Sequence, residues 1–430
     1  MVTVGKNLRD VAIIGVGCTP FRDGTEDPEI CNLSEGELFG YAALEAMQDA
    51  GVDASQIDFF LHGQANPGNT SHYITPAIMM QDWVGMRGKG CAHHSEACCT
   101  GYYGLDLAVQ LVASGKYNMV LSGCVDMGAD LYIEGEPAHM RRKFEMEEFM
   151  GSLTMIYDRA YTIPMEAGQV SGFDDPPAEY ALENGLSAQD IDDMLNAMTY
   201  NNRRAAVLNP KAMNRDSFDD LAKTFGYASA MDYLRSPYNP KMSAFLRVMG
   251  TESRADGAAA VIVCPLEEAW KYTDKPIAVL GTGNAAMESM QPHLERKCSE
   301  EACRQVYEVT GKQPEDIDLF YANDFVITSQ VIAAEAAGYL PKGEGWKYFI
   351  DGRTAFDGDK PMNTNGGRTS FGHAHAASGL ADVYEAVKQL RGECGERQVK
   401  NSPKTAMLRG FGGAQNVLAT ILETAEKEAD

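Results

Sequence analysis

The sequence predicts an α/β protein built from two halves of like topology, because three patterns of its first half return in the same order later in the chain. The apolar run Val11–Gly17 ends in alternating glycines and predicts a buried strand. Ile277–Gly283 repeats this run together with its glycines. Residues 51–61 are echoed in the same way by residues 311–321, including an Ile-Asp pair at matching places.

The third repeated pattern is a helix that begins at a glycine and leads into another strand. Gly101 opens an apolar-periodic segment that is followed by Met119–Gly123, and Gly379 opens one that is followed by Ala406–Gly410. Three repeats in one order are hard to obtain by chance. We therefore expect two β-α-β halves, each with a sheet covered by helices.

The two halves differ in length, because a long stretch in the middle of the chain has no counterpart in the second half. This stretch contains a predicted helix from Ser187, a suitable N-cap, to Asn202. The run Asp256–Val263 then returns to a buried strand. We expect an N-terminal half at residues 1–125 and 251–270, an inserted loop domain at 126–250, and a C-terminal half at 271–430.

The chain is strongly acidic, with a formal net charge of −24. This charge argues against nucleic acid and against an anionic membrane as partners. An anionic substrate would need a local basic patch. The sequence has no basic-then-apolar signal at its start and no apolar run of about 20 residues, so we expect a cytoplasmic protein.

The ten cysteines predict free thiols rather than a disulfide framework in a chain of this size and expected location. No Cys-x-x-Cys pair occurs, and neither Cys298/Cys303 nor His93/His94 has a second ligand pair at zinc spacing. We therefore expect no metal site and no bound cofactor.

Cys98 is the first candidate for chemistry, since it stands just before the predicted helix that begins near Gly101. Backbone N–H groups and the positive end of a helix dipole stabilise a thiolate at such a position. A small buried cysteine at a tight strand–helix junction explains the same pattern equally well. The fragment by itself leaves both interpretations open.

Two glycine-rich segments of the second half are further candidates. In Asn363–Gly379, His373 stands between small residues and could polarise a carbonyl or act as acid or base, whereas His375 is expected to point elsewhere. In Gly410–Asn416, closely spaced backbone N–H groups could bind an oxyanion. A pseudo-twofold arrangement would bring the helix start near Ser378 and the helix start after the cysteine to one cleft.

With these motifs, the chain resembles the thiolase superfamily over nearly its whole length. Cys98–Gly101 is similar to the family's Cys-x-x-Gly nucleophile motif, and Asn365–Gly379 to its Gly-Gly…Gly-His-Pro…Ala-Ser/Thr-Gly block. Asp256-Gly-Ala-Ala-Ala is another family hallmark, and Asn202–Pro210 resembles a stretch of the sterol-carrier-protein-type branch. The resemblance implies a duplicated thiolase fold with a five-layered α-β-α-β-α core and an inserted loop domain.

Three positions depart from the family pattern. Gly410 stands where ordinary thiolases carry a second catalytic cysteine, as it does in the sterol-carrier-protein-type branch. Asp324 stands where that branch often has the cysteine of a His-Asp-Cys-Phe motif, and Ala374 replaces the proline after the catalytic histidine. The nucleophile and the histidine are thus kept, while the acid/base changes its chemical type.

The resemblance implies an acyltransferase that cleaves a bulky 3-oxoacyl-CoA with CoA through an acyl-cysteine. Cys98 would be the nucleophile, and the backbone N–H groups of Cys98 and Gly412 would hold the oxyanion. His373 would stabilise the departing enolate. Asp324 is the candidate acid/base with Asn323 as an orienting donor, and a hydrogen-bonded structural carboxylate is the equal alternative for Asp324.

The same resemblance suggests how substrate and partners would bind. Arg203 and Arg204 are candidates for the CoA phosphates, or else solvated surface arginines, and Phe371 could line a bulky acyl pocket or pack in the core. CoA is the expected co-substrate. The resemblance also implies a homodimer through the thiolase core and a small partner subunit with a zinc ribbon and an OB-fold.

The altered motifs resemble those of a specialised degradative enzyme, such as the thiolase of anaerobic toluene breakdown. That reaction cleaves 2-benzoylsuccinyl-CoA with CoA to benzoyl-CoA and succinyl-CoA. Three alternatives stay open: a retro-aldolase of the same fold, a decarboxylating or hydroxymethylglutaryl-type condensing enzyme, and an inactive scaffold subunit that binds acyl-CoA. Cys98 counts against the aldolase, and Cys98 together with His373 counts against the scaffold.

Overall fold

The described part of the chain contains one sheet of nine strands. The structure, a computed structural model, describes residues 9–24, 27–65, 75–127, 173–287, 292–412 and 416–427. The strands are β1 (Val11–Cys18), β2 (Phe59–Gly63), β3 (Gly90–His94), β4 (Val120–Asp126), β5 (Gly257–Pro265), β6 (Ile277–Ala286), β7 (Leu319–Ala322), β8 (Thr405–Gly412) and β9 (Asn416–Thr424). Their order across the sheet is β3-β2-β4-β5-β1-β6-β9-β8-β7.

This strand order contains the same arrangement twice. The series β2-β4-β5-β1 of the first half corresponds to β7-β8-β9-β6 of the second, with the first pair parallel and the other two antiparallel in both. β1 and β6 carry an irregularity at the same place, between Ile13 and Gly15 and between Val279 and Gly281. The predicted duplication is therefore confirmed.

Helices cover and separate the strands of the two halves. They are α1 (Glu35–Ala50), α2 (Pro76–Trp83), α3 (Thr100–Ala113), α4 (Asp175–Asn184), α5 (Ala188–Val207), α6 (Phe218–Thr224), α7 (Ala230–Leu234), α8 (Leu266–Ala269), α9 (Pro292–Thr310), α10 (Ser329–Ala336), α11 (Gly345–Ile350) and α12 (His375–Arg391). A π-helical turn occupies Gly367–Phe371, and 3₁₀ turns lie at Val248–Gly250, Pro314–Asp316 and Gly395–Arg397.

The packing of these helices makes five layers. α1 packs on the strands of the first half, α9 packs on β6 and β9 of the second, and α3 and α12 lie against each other between the halves. α12 contacts strands of both halves. Separate apolar clusters fill the space beneath α1, beneath α9 and around the two central helices. The predicted α-β-α-β-α order is confirmed.

The repeated glycines of β1 and β6 have a packing reason. A Cβ atom at Gly17 would lie 2.0 Å from the carbonyl oxygen of Ala42 on α1. A Cβ atom at Gly283 would lie 2.0 Å from the carbonyl oxygen of Ala302 on α9. Each outer helix therefore rests with its backbone directly on a strand, which only glycine permits.

The repeated aspartates have a structural reason as well. Asp58 accepts hydrogen bonds of 2.9 and 3.0 Å from two consecutive backbone N–H groups that lead into β4. Asp318 accepts bonds of 2.8 and 3.1 Å from the two N–H groups that lead into β8. Each carboxylate thus fixes the start of the strand parallel to its own, at equivalent places in the two halves.

The described part of the predicted inserted domain is helical. α5 begins after Ser187, whose side chain forms a capping box with Asp190, so the predicted N-cap is confirmed; the helix ends five residues beyond the predicted Asn202. α5 packs against the Gly367–Phe371 turn and so approaches the glycine-rich block. Residues 128–172 of the predicted domain lie outside the described residues. Among the helices that the structure describes, none is long and apolar enough to span a bilayer.

Candidate functional site

The starts of α3 and α12 meet at the centre of the molecule. A Cβ atom at Gly101 would lie 2.5 Å from the carbonyl oxygen of Ala376 and 3.0 Å from the Cα atom of Gly379. The two helices therefore cross with their backbones in contact. The predicted meeting of the two helix starts is confirmed, and it brings the turn that contains Cys98 close to the glycine-rich block.

A buried ion pair and the hydroxyl of Tyr102 link the two central helices. The Arg368 guanidinium donates to both carboxylate oxygens of Asp382, at 2.9 and 2.7 Å. Asp382 also accepts from the Tyr102 hydroxyl on α3 and, at 2.8 Å, from the Asn365 amide. These groups are buried, and breaking such a pair leaves an uncompensated charge at a cost of about 3–5 kcal/mol. The network therefore holds the helix after Cys98 against the glycine-rich block.

Cys98 lies half-buried in a tight turn before α3. Ala97, the residue before it, has a φ of 49°, a left-handed conformation that is uncommon for a residue with a side chain. The backbone N–H groups of Cys99 and Thr100 close the turn on Glu96 and Ala97 at 3.0 and 3.1 Å. A strained residue beside a cysteine at a helix start is typical of a functional turn.

The ionisation of Cys98 differs from the sequence-based expectation. Burial, and next the charge of Glu252, raise the pKa of the Cys98 thiol, whereas Arg368 lowers it. These effects oppose the thiolate that a helix start would favour at this position. Cys98 is a protonated thiol that needs a base before it can attack.

His373 is fully buried beside two polar groups. Its Nδ1 atom lies 3.1 Å from the Ser378 hydroxyl. Its Nε2 atom lies 3.3 Å from a carboxylate oxygen of Glu252, a close contact without hydrogen-bond geometry. Burial first, and then the neighbouring His375 and Arg368, hold the pKa of His373 well below its usual value. The imidazole is therefore neutral at neutral pH and can donate or accept a hydrogen bond.

Asn323 connects the cysteine turn to the end of β8. Its Nδ2 atom donates to the carbonyl oxygen of Phe411 at 2.7 Å and, more weakly, to that of Cys98 at 3.5 Å. Its buried Oδ1 atom has no hydrogen-bond partner within the described residues. A Cβ atom at Gly412 would lie 3.0 Å from the carbonyl oxygen of Glu96. The two segments predicted to form the oxyanion site are thus neighbours; their role stays a prediction.

Asp324 is fully buried at the other side of this region. It accepts hydrogen bonds from the Asn202 amide at 2.9 Å, the Gln330 amide at 2.7 Å and the backbone N–H of Arg368 at 2.8 Å. Burial raises the pKa of Asp324, and Arg368 opposes this rise. These contacts join α5 and the glycine-rich block to the end of β7, which favours the structural interpretation of this carboxylate.

The structure adds Glu252, which the sequence analysis did not identify. Residues 251–255 run beside His373, whose backbone N–H donates to Ser253 at 2.7 Å and whose carbonyl accepts from Ala255 at 3.2 Å. Burial raises the pKa of Glu252 to about 7, against the lowering effect of nearby arginines. An acidic side chain four positions before Asp256 was the available signal, but only the backbone pairing shows that it reaches His373.

The predicted substrate-binding residues have intramolecular contacts. Arg203 is buried and donates to the Ser370 hydroxyl at 3.0 Å. Arg204 forms a two-pronged ion pair with Asp357 at 3.0 and 2.7 Å, with a third of its side chain exposed. Phe371 is buried with its ring centroid 4.7 Å from that of a second phenylalanine. Arg203 and Phe371 thus support the glycine-rich block, and contacts with CoA or an acyl group stay predictions.

Gly410 occupies a position without room for a side chain. A Cβ atom there would lie 2.4 Å from the ring of Tyr102 and 2.9 Å from the sulfur of Cys99. Burial raises the pKa of Cys99, which is fully enclosed. Cys98 is therefore the partly exposed thiol of this turn. A cysteine at position 410 would require Tyr102 to move.

Comparison with known proteins agrees with this architecture. Residues 281–424 match the family described as Thiolase C-terminal domain-like. An acetyl-CoA acetyltransferase of Methanothermobacter thermautotrophicus is 28% identical over 96% of this chain and 98% of its own. Benzoylsuccinyl-CoA thiolase subunit BbsB of Thauera aromatica is 29% identical over 95% and 96%. Sterol carrier protein 2 of Bos taurus is 25% identical over 97% of this chain and 73% of its own.

Two solved structures have the same fold over nearly the whole chain. The Ltp2–ChsH2(DUF35) aldolase superposes with a TM-score of 0.75 at 18% identity, covering 98% of this chain and 99% of the other. Human mitochondrial 3-ketoacyl-CoA thiolase superposes with a TM-score of 0.68 at 15% identity, covering 97% and 100%. The chain thus has the fold of these structures, its C-terminal region matches a thiolase family, and it is similar over nearly its whole length to proteins named acetyltransferase and thiolase.

Proposed function

We propose that this protein is a thiolase-type acyltransferase that cleaves a bulky 3-oxoacyl-CoA with CoA through an acyl-Cys98 intermediate. The observation that carries the proposal is the partly exposed thiol of the strained turn, which leads into a helix whose start contacts the start of the helix that follows the neutral, buried imidazole of His373. Relatives that are named acetyltransferases and thiolases over nearly the whole chain support the same reaction class.

In the first half-reaction, Cys98 loses its proton and its sulfur attacks the C3 carbonyl carbon. Backbone N–H groups of Cys98 and Gly412 hold the resulting oxyanion. The C2–C3 bond then breaks, and its electron pair moves onto C2 and the thioester oxygen of the departing acyl-CoA. His373 stabilises that enolate by donating a hydrogen bond, and an acid delivers a proton to C2.

In the second half-reaction, the thiol of free CoA gives up its proton and attacks the acyl group on Cys98. The carbon–sulfur bond to the enzyme breaks, and the Cys98 sulfur recovers a proton. Asn323 keeps the cysteine turn and the end of β8 together through both steps, because its amide donates to both segments. In this proposal Asp324 stabilises the site through its three hydrogen bonds.

The candidate substrate is 2-benzoylsuccinyl-CoA, which would give benzoyl-CoA and succinyl-CoA. Support comes from similarity to BbsB over 96% of the length of that subunit. Arg203, Arg204 and Phe371 remain the proposed contacts for the CoA phosphates and the acyl group. We also propose a homodimer through the core and a small zinc-ribbon/OB-fold partner subunit; the fold shared with the Ltp2–ChsH2(DUF35) aldolase supports such a partner.

Intact mass measurement tests the proposal. The purified protein is incubated with 2-benzoylsuccinyl-CoA or acetoacetyl-CoA without free CoA, and peptide mapping locates any adduct. A benzoyl or acetyl group on Cys98 that free CoA removes is the expected result. Cleavage without an adduct would instead indicate a retro-aldolase, and neither cleavage nor adduct, with or without the partner subunit, would indicate a scaffold.

A further inference from the structure

Proton transfer is the part of this reaction that the sequence-predicted residues do not cover. Cys98 is a protonated thiol, and C2 of the departing acyl-CoA must receive a proton after the C–C bond breaks. Both oxygens of Asp324 already accept hydrogen bonds from buried donors. The pKa of His373 lies well below neutrality, so its imidazolium would be a short-lived proton carrier at most.

We propose that Glu252 is the acid/base of this reaction: its carboxyl group removes the thiol proton of Cys98 and delivers that proton to C2. The inference rests on the proposed thiolytic function and adds a residue to it. Glu252 would touch the reacting atoms, so it would be a catalytic residue rather than a support for His373.

Backbone pairing fixes the position of the Glu252 carboxylate. The segment before β5 pairs with His373 on both sides of that residue, through Ser253 and Ala255. This pairing holds the Glu252 carboxylate 3.3 Å from His373 Nε2, on the edge of the ring away from Ser378. The Glu252 side chain is 24% exposed, so it is accessible from outside the protein, whereas the His373 side chain is not.

Unlike the carboxylate of Asp324, the carboxylate of Glu252 is free of hydrogen bonds within the described residues. No backbone or side-chain group of the described residues donates a hydrogen bond to it, and its contact with His373 lacks hydrogen-bond geometry. Its charge nevertheless acts on Cys98, since Glu252 is the charged group that most strongly raises the pKa of that thiol. A carboxylate that is free of hydrogen bonds, contacts His373 and acts electrostatically on Cys98 is suited to carry a proton.

The electrostatic surroundings of Glu252 place its ionisation in a useful range. Burial raises the pKa of Glu252 to about 7, Arg254 and Arg368 lower it, and the charge of Asp324 raises it. His373 is neutral and adds no opposing charge. Near neutral pH both forms of the carboxyl group are then populated, which is the condition for efficient acid and base catalysis by one group.

Glu252 by itself can carry out each proton transfer of the proposed reaction. The Glu252 carboxylate takes the Cys98 proton, the sulfur forms its bond to C3, and the C2–C3 electron pair is released to C2. Glu252 then gives the same proton to C2 and becomes a carboxylate again. In the second half-reaction it takes the proton of the CoA thiol and returns it to Cys98 as the acyl–sulfur bond breaks.

The Glu252→Gln substitution gives opposite expected results in two assays. Loss of the negative charge lowers the pKa of Cys98, so alkylation of Cys98 by iodoacetamide, followed by peptide mass, stays equal or becomes faster. Loss of the proton carrier slows thiolysis of acetoacetyl-CoA by roughly 10²–10⁴-fold in kcat, and the inflection of the pH profile near 7 disappears. Glu267→Gln, at an exposed site outside the cleft, is the matched control and keeps the wild-type profile.

The two assays distinguish failure of the Glu252 inference from failure of the proposed function. Thiolysis by Glu252→Gln at the wild-type rate, with the inflection kept, would overturn the inference while acyl-Cys98 in the wild-type protein still supports the function. Faster alkylation together with faster thiolysis would reduce Glu252 to an electrostatic role and would also overturn it. If Glu252→Gln is misfolded, Glu252→Asp decides: partial activity with a retained inflection supports the inference, and loss of the inflection contradicts it.

Discussion

The first half of the sheet carries α1 on β1 through Gly15 and Gly17, and the second half carries α9 on β6 through Gly281 and Gly283. Four strands follow the same order and directions in each half, and β3 is an additional strand at the edge of the first half. The halves differ where their central helices begin. There the first half has a strained turn with a cysteine, and the second has a glycine-rich block with a buried imidazole.

This difference shows how a duplicated scaffold makes an asymmetric site. The faces that bear the outer helices obey the same packing constraint in each half, so their residues stay alike. The helix starts meet at the centre, where neither half by itself would enclose a reacting atom. Glu252 crosses this division, because it precedes β5 of the first half but contacts His373 of the second.

The largest expected effect concerns the cysteine turn of the first half, where the two halves differ in their chemistry. Cys98→Ala removes the proposed nucleophile, and kcat for thiolysis of a 3-oxoacyl-CoA should fall by about 10⁴-fold or more. The unfolding temperature should change little, because the Cys98 side chain is small and partly exposed. Steady-state kinetics and a thermal unfolding curve on the same preparation check both expectations.

Cys99→Ala is the control for that experiment. Cys99 is enclosed beside Gly410 and has no proposed role in the reaction, so this variant should keep its thiolysis and its acyl-Cys98 adduct. An adduct that moved or vanished in Cys99→Ala, or normal turnover by Cys98→Ala, would contradict the assignment of the nucleophile.

A smaller effect tests why the second half lacks a cysteine. Gly410→Cys restores the residue type of ordinary thiolases, but its Cβ atom would lie 2.4 Å from the Tyr102 ring. We expect a loss of about 1–3 kcal/mol in the free energy of unfolding, because Tyr102 is held by Asp382 and cannot move freely. Urea denaturation measures this loss. A Gly410→Cys variant as stable as the wild type would show that sequence history, rather than packing, excludes the cysteine.

The smallest expected effect concerns the aspartates that occupy equivalent places in the two halves. Asp58→Asn and Asp318→Asn each replace one carboxylate that fixes the start of the neighbouring parallel strand. Each should reduce the free energy of unfolding by about 1 kcal/mol, since these bonds are partly exposed to water. Activity should be unaffected, because neither residue lies at the helix starts. Unequal losses in urea denaturation would mean that the two halves are not equivalent in stability.

Much of the candidate site could be predicted from the sequence because its residues stand in local motifs. Cys98 lies before a periodic helix, and His373 lies in a run of glycines and small residues. Asp324 was found by position within a motif, but its alternatives stayed open because hydrogen-bond partners come from distant segments. Arg203 and Phe371 were ambiguous for the same reason: whether an arginine or a ring is exposed depends on what packs against it.

The repeats along the chain were enough to predict the duplicated α/β fold. A helix that packs on a strand needs periodic apolar residues, and the strand beneath it needs glycines; both patterns are visible in the sequence. Tertiary structure alone decided that Cys98 is surrounded by protein and lies within the electrostatic influence of Glu252, and both effects raise the pKa of its thiol. It alone also decided which carboxylate stays free of hydrogen bonds. Asp324 meets donors from α5, α10 and the glycine-rich block, while Glu252 is brought to His373 by pairing between segments about 120 residues apart in the chain.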